Sequence, residues 1–380
     1  TAIGRKTASA PIKAYKTLDK RFKIIGVLGI LSSFIIMSYY SVIGGWVLKY
    51  VFSYVFTQNA PNNFNEYIAS PIEPLIWFLV FILCAFVICL KGTKGIEKAT
   101  KFMMPALLIM LIIIVIRSLT LGGSVEGLKF IFLPESGFTM SSISAALGQV
   151  FYSLSLCMGI TITYGSYLSK KDNIVKSTNV VAWLDSFVAI LAGLAIFPAV
   201  FSFGLEPSQG PGLTFGTLPN VFSSFSGGWI FAIIFFLLMF FAAVSSVIGS
   251  LECLCMTLFD SFKIKRKTAL IIIVSLVFVC GIPASLSFGI LGDFKILNMT
   301  IFDFMTMITD NILMPIGGIL LCIFIGWVIK PEFIIKEVEE NNIKFKLKKL
   351  WIFCIKYLSP VLVSIVTIVG IFNVFNLINS

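Results

Sequence analysis

Residues Gly148 to Leu168 read GQVFYSLSLCMGITITYGSYL. Both ends are apolar enough for a membrane interior. The middle, SLSLCMG (Ser153 to Gly159), has two serines, a glycine and no strong apolar face. A helix in lipid must satisfy its backbone polar groups internally, and irregular backbone at that depth is tolerated only where it lines a cavity. A span that is weakest at its centre therefore predicts a broken helix, unwound over 153–158. Its freed carbonyls and amides would face a cavity, with half-helix dipoles aimed inward.

The rest of the chain sets this segment in a membrane. Of 380 residues, 58% are hydrophobic and 12% charged, and the mean hydropathy is +1.00. A soluble domain cannot hide that much apolar surface, so the chain reads as a polytopic membrane protein. Nine apolar stretches are long enough to span the hydrocarbon: roughly 22–56, 73–91, 97–122, 142–168, 176–204, 228–261, 267–290, 299–330 and 350–377. Short loops join them, so helices are the spanning element. The eight cysteines all lie in or beside apolar segments without a CxxC pair, which reads as core packing rather than disulfides or a metal cluster. Histidine is absent, which excludes histidine proton relays and histidine-ligated metal or haem.

The net charge of +11 comes from 29 Lys and Arg against 18 Asp and Glu. Nearly all the basic residues fall on alternate loops, at 1–23, 91–101, 170–176, 263–267 and 330–356. The opposite loops keep Lys129 and Lys295. By the positive-inside rule, residue 1 is expected in the cytoplasm and the C-terminus outside, in the cell's inner (plasma) membrane. The basic charge then faces lipid headgroups, not nucleic acid. The opposite-side segment 205–227, rich in Gly and Pro, is expected to form a partly helical lid.

Ionisable groups inside a bilayer are functional candidates. Asp185, Glu252 and Asp303 lie within apolar stretches, accompanied by Ser153, Ser155, Ser245, Ser246 and Ser250. Serines alone suit close helix packing. Together with a carboxylate and an unwound helix, they offer hard oxygen ligands of the kind hard cations prefer.

Four segments resemble the bacterial neurotransmitter:sodium symporters, which have the leucine-transporter fold. AIGRKT (Ala2–Thr7) resembles the cytoplasmic end of family helix 2, and YYSVIGGW (Tyr39–Trp46) resembles helix 3. GQVFYSLSLCMG resembles the broken helix 6, and AAVSSVIGSLE (Ala242–Glu252) resembles helix 8. The resemblance implies an all-α membrane protein of about nine helices, family helices 3 to 11, with helix 1 and most of helix 2 outside this sequence. It implies one transmembrane transporter domain over 1–380. Residues 1–21 would be the end of helix 2 and a loop, 22–122 helices 3 to 5, 142–330 helices 6 to 10 of the second inverted repeat, and 350–377 helix 11.

The implied function is sodium-coupled symport of a neutral, hydrophobic or aromatic amino acid. A membrane-embedded enzyme and an ion channel are the alternatives, though neither paired catalytic carboxylates nor a repeated pore loop is evident. The implied partners are the amino acid, sodium ions at two sites and the lipid bilayer; oligomeric state is not implied.

By the same resemblance, Tyr40 holds the substrate carboxylate, Tyr152 covers the substrate and Met158 walls the pocket. Ile36, Ile43 and Ser155 line it, Ser153 borders it, and Ser246 and Ser250 lie on its far side. The first sodium site takes Ser153 and Asp185, and the second takes the Ala242 carbonyl, Ser245 and Ser246. Gln149 belongs to an external gate, and Ser166, Tyr167 and Asp260 to an internal one. The chain departs from the family pattern at Asp185, where Asn is usual, and at Cys157, where Gly is common. The external-gate acid is read as Asp303, with Thr306 as the other register. Chloride-independent transport is expected, with the Asp185 carboxylate supplying the compensating charge.

Overall fold

A computed structural model describes residues 1–61, 63–133, 139–205, 210–340 and 343–379. Two short helices, α1 (Ala2–Thr7) and α2 (Pro11–Leu18), precede the long α3 (Lys23–Thr57). Next come α4 (Phe64–Ala69), α5 (Glu73–Leu90), α6 (Gly92–Leu119) and α7 (Ser124–Phe132). The central stretch is split into α8 (Met140–Ser153) and α9 (Ile160–Ser166). After it run α10 (Ile174–Ser202), α11 (Leu218–Ser223), α12 (Gly228–Phe262) and α13 (Arg266–Leu286). The chain closes with α14 (Ile301–Val328), α15 (Pro331–Val338) and α16 (Lys348–Phe372).

Eight of these helices are long and apolar enough to cross a membrane: α3, α5, α6, α10, α12, α13, α14 and α16. The ninth apolar stretch is the α8–α9 pair, broken where the sequence predicts a break. Basic residues follow α5, α9, α12 and α14, whereas the short helices α4, α7 and α11 follow α3, α6 and α10. The basic loops gather at one end; α4, α7 and α11 lie at the other.

α3 runs through the middle of the bundle, and its centre is buried on all sides. Small residues allow close crossings there. A Cβ added at Gly45 would come within 2.6 Å of the Phe78 backbone nitrogen, and one at Gly281 within 2.8 Å of the Ser38 carbonyl. Against this line pack Trp46, Phe78, Phe81, Phe236 and Ile248, all buried.

At the basic end, α1 crosses α9 so closely that a Cβ at Gly165 would meet the Thr1 carbonyl at 2.3 Å. Arg5 then ties three elements. Its Nε donates to Glu337 Oε1 of α15 at 2.8 Å, and one Nη donates to the Asp172 carbonyl at 2.7 Å. Lys6 reaches the same buried carboxylate at 3.2 Å. Nearby, outside the spans, a hydrogen bond from Lys170 pulls the Glu340 carboxyl below the ordinary carboxylate range.

At the opposite end, residues 212–217 form a wide helical turn that continues into α11. Residues 206–209 of the expected lid lie outside the described residues. Phe215 of that turn is buried, stacked on Phe64 with ring centroids 5.0 Å apart. Its carbonyl accepts from the Tyr50 hydroxyl at 2.9 Å. The segment is thus partly helical and packed down on α3 and α4.

Candidate functional site

The break between α8 and α9 covers Leu154 to Gly159, one residue later than the expected 153–158. Its cause is local. Ser155, Cys157 and Gly159 have φ of +49°, +62° and +75°, so every second residue is left-handed. A right-handed helix cannot continue through such a pattern. Among the described residues, no backbone N–H donates to the carbonyls from Ser153 to Cys157. The Met158 carbonyl meets only the Cys253 thiol, at 3.8 Å. Carbonyls freed in this way within a membrane protein can ligate a cation.

Around the break the structure gathers one cluster. Ile36, Tyr39, Met158, Ile160, Cys253, Ala284 and Met314 form its buried part, with Tyr40 and Tyr152 packed against it. Of the expected pocket residues, Ile36, Tyr40, Tyr152 and Met158 therefore meet. Ile43 packs against the larger neighbouring core, as Tyr40 also does. The α3 helix, which carries Tyr40, packs along α12, which carries Ser246. Ser250, one turn further along α12, is buried. Ser155 lies in the break itself.

Tyr39, beside Tyr40, was not among the expected pocket residues. Its hydroxyl lies 3.5 Å from that of Tyr152 and 3.4 Å from Thr309 Oγ1. Thr309 in turn contacts Asp310 Oδ1 at 3.0 Å.

The two expected sodium sets are each brought together. Ser153 Oγ donates to Asp185 Oδ2 at 3.0 Å, across from α8 to α10. On α12, Ser245 and Ser246 both donate to the Ala242 carbonyl, at 2.8 and 3.2 Å. Helical spacing makes this possible, because i+3 and i+4 hydroxyls reach the same carbonyl. Every donor in both sets is an oxygen of carboxylate, hydroxyl or carbonyl type, which fits a hard monovalent cation.

The external-gate acid needs correction. Asp303 sits in the first turn of α14, where Thr300 caps its backbone N–H at 3.1 Å and bonds its carboxylate at 2.7 Å. That capping role leaves it exposed and away from Gln149. Thr306 donates back to the Phe302 carbonyl at 3.0 Å. The carboxylate facing Gln149 and Tyr152 is Asp310, across a cavity of about 330 Å³ that also takes in Asn311 and Met314. Asp310 is seven residues after Asp303, hence on the same helix face two turns deeper. The i, i+7 spacing is the sequence signal that could have found it. A wide π-helical turn over Ile308–Leu313 carries it, a distortion often found at functional positions.

The expected internal-gate residues lie at the basic end but not in one cluster. Ser166 Oγ donates to the Thr163 carbonyl at 2.6 Å. Asp260 accepts from the Ala10 backbone N–H at 2.7 Å and lies 3.9 Å from Lys13 Nζ. The Tyr167 hydroxyl donates to Glu252 at 2.6 Å. Glu252, a candidate by its depth, is wholly buried and ion-paired with Arg266, whose Nη1 lies 3.0 Å from its Oε1. Its charge is therefore answered within the scaffold.

Comparison with known proteins identifies the family. Residues 69–379 match the family model described as the sodium:neurotransmitter symporter family. An uncharacterized sodium-dependent transporter of Bacillus subtilis, YhdH, is 36% identical over 376 residues, covering 96% of this chain and 83% of that protein. One from Haemophilus influenzae is 35% identical over 387 residues, covering 96% and 84%. The crystal structure of MhsT in complex with L-phenylalanine superposes with a TM-score of 0.89 at 39% identity, covering 97% of this chain and 86% of that one. These relatives are transporters, not enzymes, and the helical bundle with its broken central helix is the leucine-transporter fold. With oxygen-lined sites around that break and a family match over most of its length, this chain belongs to the sodium:neurotransmitter symporter family and is a multi-pass, sodium-dependent transporter.

Proposed function

We propose that the chain is a sodium-coupled symporter of a neutral, hydrophobic amino acid, with aromatic ones favoured, working by alternating access. The observation that carries this reading is the break itself. Among the described residues, its carbonyls from Ser153 to Cys157 accept no backbone hydrogen bond, and Met158, at its end, packs in one cluster with Ile36, Tyr39, Tyr40 and Tyr152, which supports an ion and a zwitterion bound side by side there. Tyr40 would hold the substrate carboxylate and Tyr152 would cover the substrate. Ile36, Ile43, Ser155 and Met158 would form the walls. Ser250 leaves room for a large side chain, and the flexible Met158 can adapt to it. The related MhsT was crystallised with L-phenylalanine, which supports a substrate of that size.

Ser153 with Asp185 would hold one sodium ion, and Ala242, Ser245 and Ser246 a second, with carbonyls of the break completing them. Gln149 and Asp310 would form the outer gate, and Ser166, Tyr167 and Asp260 the inner one. Two sodium ions and a zwitterion leave surplus positive charge in a low-dielectric site. The Asp185 carboxylate would offset it, making transport chloride-independent, and its protonation would let the empty carrier return with a proton. The basic end would face the cytoplasm.

The test is uptake of labelled phenylalanine or tyrosine by the full-length protein in liposomes. Uptake is expected on an inward sodium gradient and absent when potassium replaces sodium. Uptake indifferent to sodium, or glycine and alanine outcompeting the aromatic substrates, would sink the proposal.

A further inference from the structure

On the outer surface of the bundle, away from its core, α5, α6 and α12 leave a groove of about 600 Å³. Its walls are apolar, built from Leu83 and Val87 of α5, Phe102 of α6, and Phe240 and Val244 of α12. Val87 and Phe102 are 60% and 68% exposed, so the groove opens to the surroundings rather than into the core. In a membrane protein those surroundings are lipid tails.

The groove has a charged mouth. On α5 its wall positions are 80, 83, 84, 87 and 88, the spacing of one helix face. The next position on that stripe is Lys91, at the turn where α5 ends. On α6, Lys98 precedes Phe102 by one turn and so stands over the same groove. Gly92, with φ +64°, makes the turn between the two helices. Arg266 fixes this turn by donating to the Cys89 carbonyl at 2.9 Å, while its charge is taken up by Glu252. Among the described residues, Lys91, Lys94 and Lys98 have no carboxylate within ion-pair distance, and Glu97 is engaged by Lys101 at 2.6 Å. Eleven residues of helix separate Val80 from Lys91, a rise of about 16 Å. That is roughly the depth of one leaflet's hydrocarbon.

We propose that this groove is a binding site for an anionic phospholipid, with its phosphate between Lys91 and Lys98 and one acyl chain lying along α5, α6 and α12. A basic end orients a span whatever the placement of its lysines. Here two unneutralised lysines continue the very stripes that line an apolar groove one leaflet deep. A net-negative headgroup complements them; a zwitterionic one would bring its own ammonium against Lys94.

The test is native mass spectrometry of the full chain released from vesicles of equal dioleoyl phosphatidylglycerol and dioleoyl phosphatidylcholine. One phosphatidylglycerol is expected to stay bound. Lys91→Gln with Lys98→Gln should weaken its retention about thirtyfold, the effect of two lysines at an anionic surface. Val87→Trp, which fills the groove from an exposed position, should displace it with the lysines intact. Lys346→Gln with Lys349→Gln removes the same charge from the same end and should leave retention unchanged. The proposal is overturned by equal retention of both lipids, by equal loss in the two lysine pairs, by loss in only one of the two groove variants, or by a lipid-free dimer in place of the lipid-bound chain.

Discussion

The Ser246 hydroxyl donates to the Ala242 carbonyl of the second expected sodium set, and Ser246 is also an expected pocket residue. If it also ligates sodium, it links ion and substrate through a single side chain. Ser246→Ala is expected to raise the sodium concentration for half-maximal binding about tenfold, the worth of one hydrogen bond to a charged group. Sodium titration of substrate binding checks this, and an unchanged midpoint would place the ion elsewhere. Asp185 supports a second test at the same scale. Its carboxylate bonds Ser153 and supplies the one fixed negative charge of the first expected sodium set. Uptake by the parent should be equal in chloride and gluconate, whereas Asp185→Asn should be stimulated by chloride. A parent that stops in gluconate would refute the charge-compensation role.

The central helix breaks because its backbone alternates handedness, and Gly159 is held both by its backbone conformation and by its neighbours. Its φ is +75°, and an added Cβ would lie 2.8 Å from the Pro11 ring and 3.2 Å from the Cys253 sulfur. Gly159→Ala therefore combines left-handed strain with a steric clash and should cost about 2 kcal/mol or more. The expected result is a lower melting temperature in detergent and loss of sodium-dependent binding, read by thermal unfolding and ligand titration. Normal stability with normal binding would mean that the break is more pliable than this packing implies. Ser155 and Cys157, left-handed without being glycine, show that the same break carries strain at two further positions.

Across the whole molecule, the Glu252–Arg266 pair joins α12, α13, the α5–α6 turn and, through Tyr167, the end of α9. Glu252 is fully buried, so removing its charge leaves the guanidinium without an answer. Glu252→Gln should destabilise the bundle by about 3 kcal/mol. Differential scanning in detergent should register it, and a melting temperature equal to the parent's would show the pair to be dispensable. The orientation belongs to this scale as well. A single cysteine at position 346 of a cysteine-free variant is expected to react with an impermeant maleimide only after cells are opened. Labelling of intact cells would invert the topology.

The sequence by itself determined the class of molecule, the number and limits of its spans and the place of the break. Those features depend on local composition: apolar length sets a span, and a serine- and glycine-bearing centre cannot sustain a helix in lipid. The hydroxyl pairs on α12 were legible too, because i+3 and i+4 spacing is a property of one helix. Only the tertiary structure decided how deep along α14 the acidic face acts, placing Asp310 rather than Asp303 opposite Gln149. Periodicity fixes a face, whereas depth depends on how far one helix slides along another. The fate of Glu252 was likewise a matter of packing, since its partner Arg266 is remote from the bilayer centre in sequence but folds back onto it. Tyr39 was chosen over its neighbour for the contact with Tyr152 and Thr309 because helix rotation within the bundle, which no single helix encodes, turned it there.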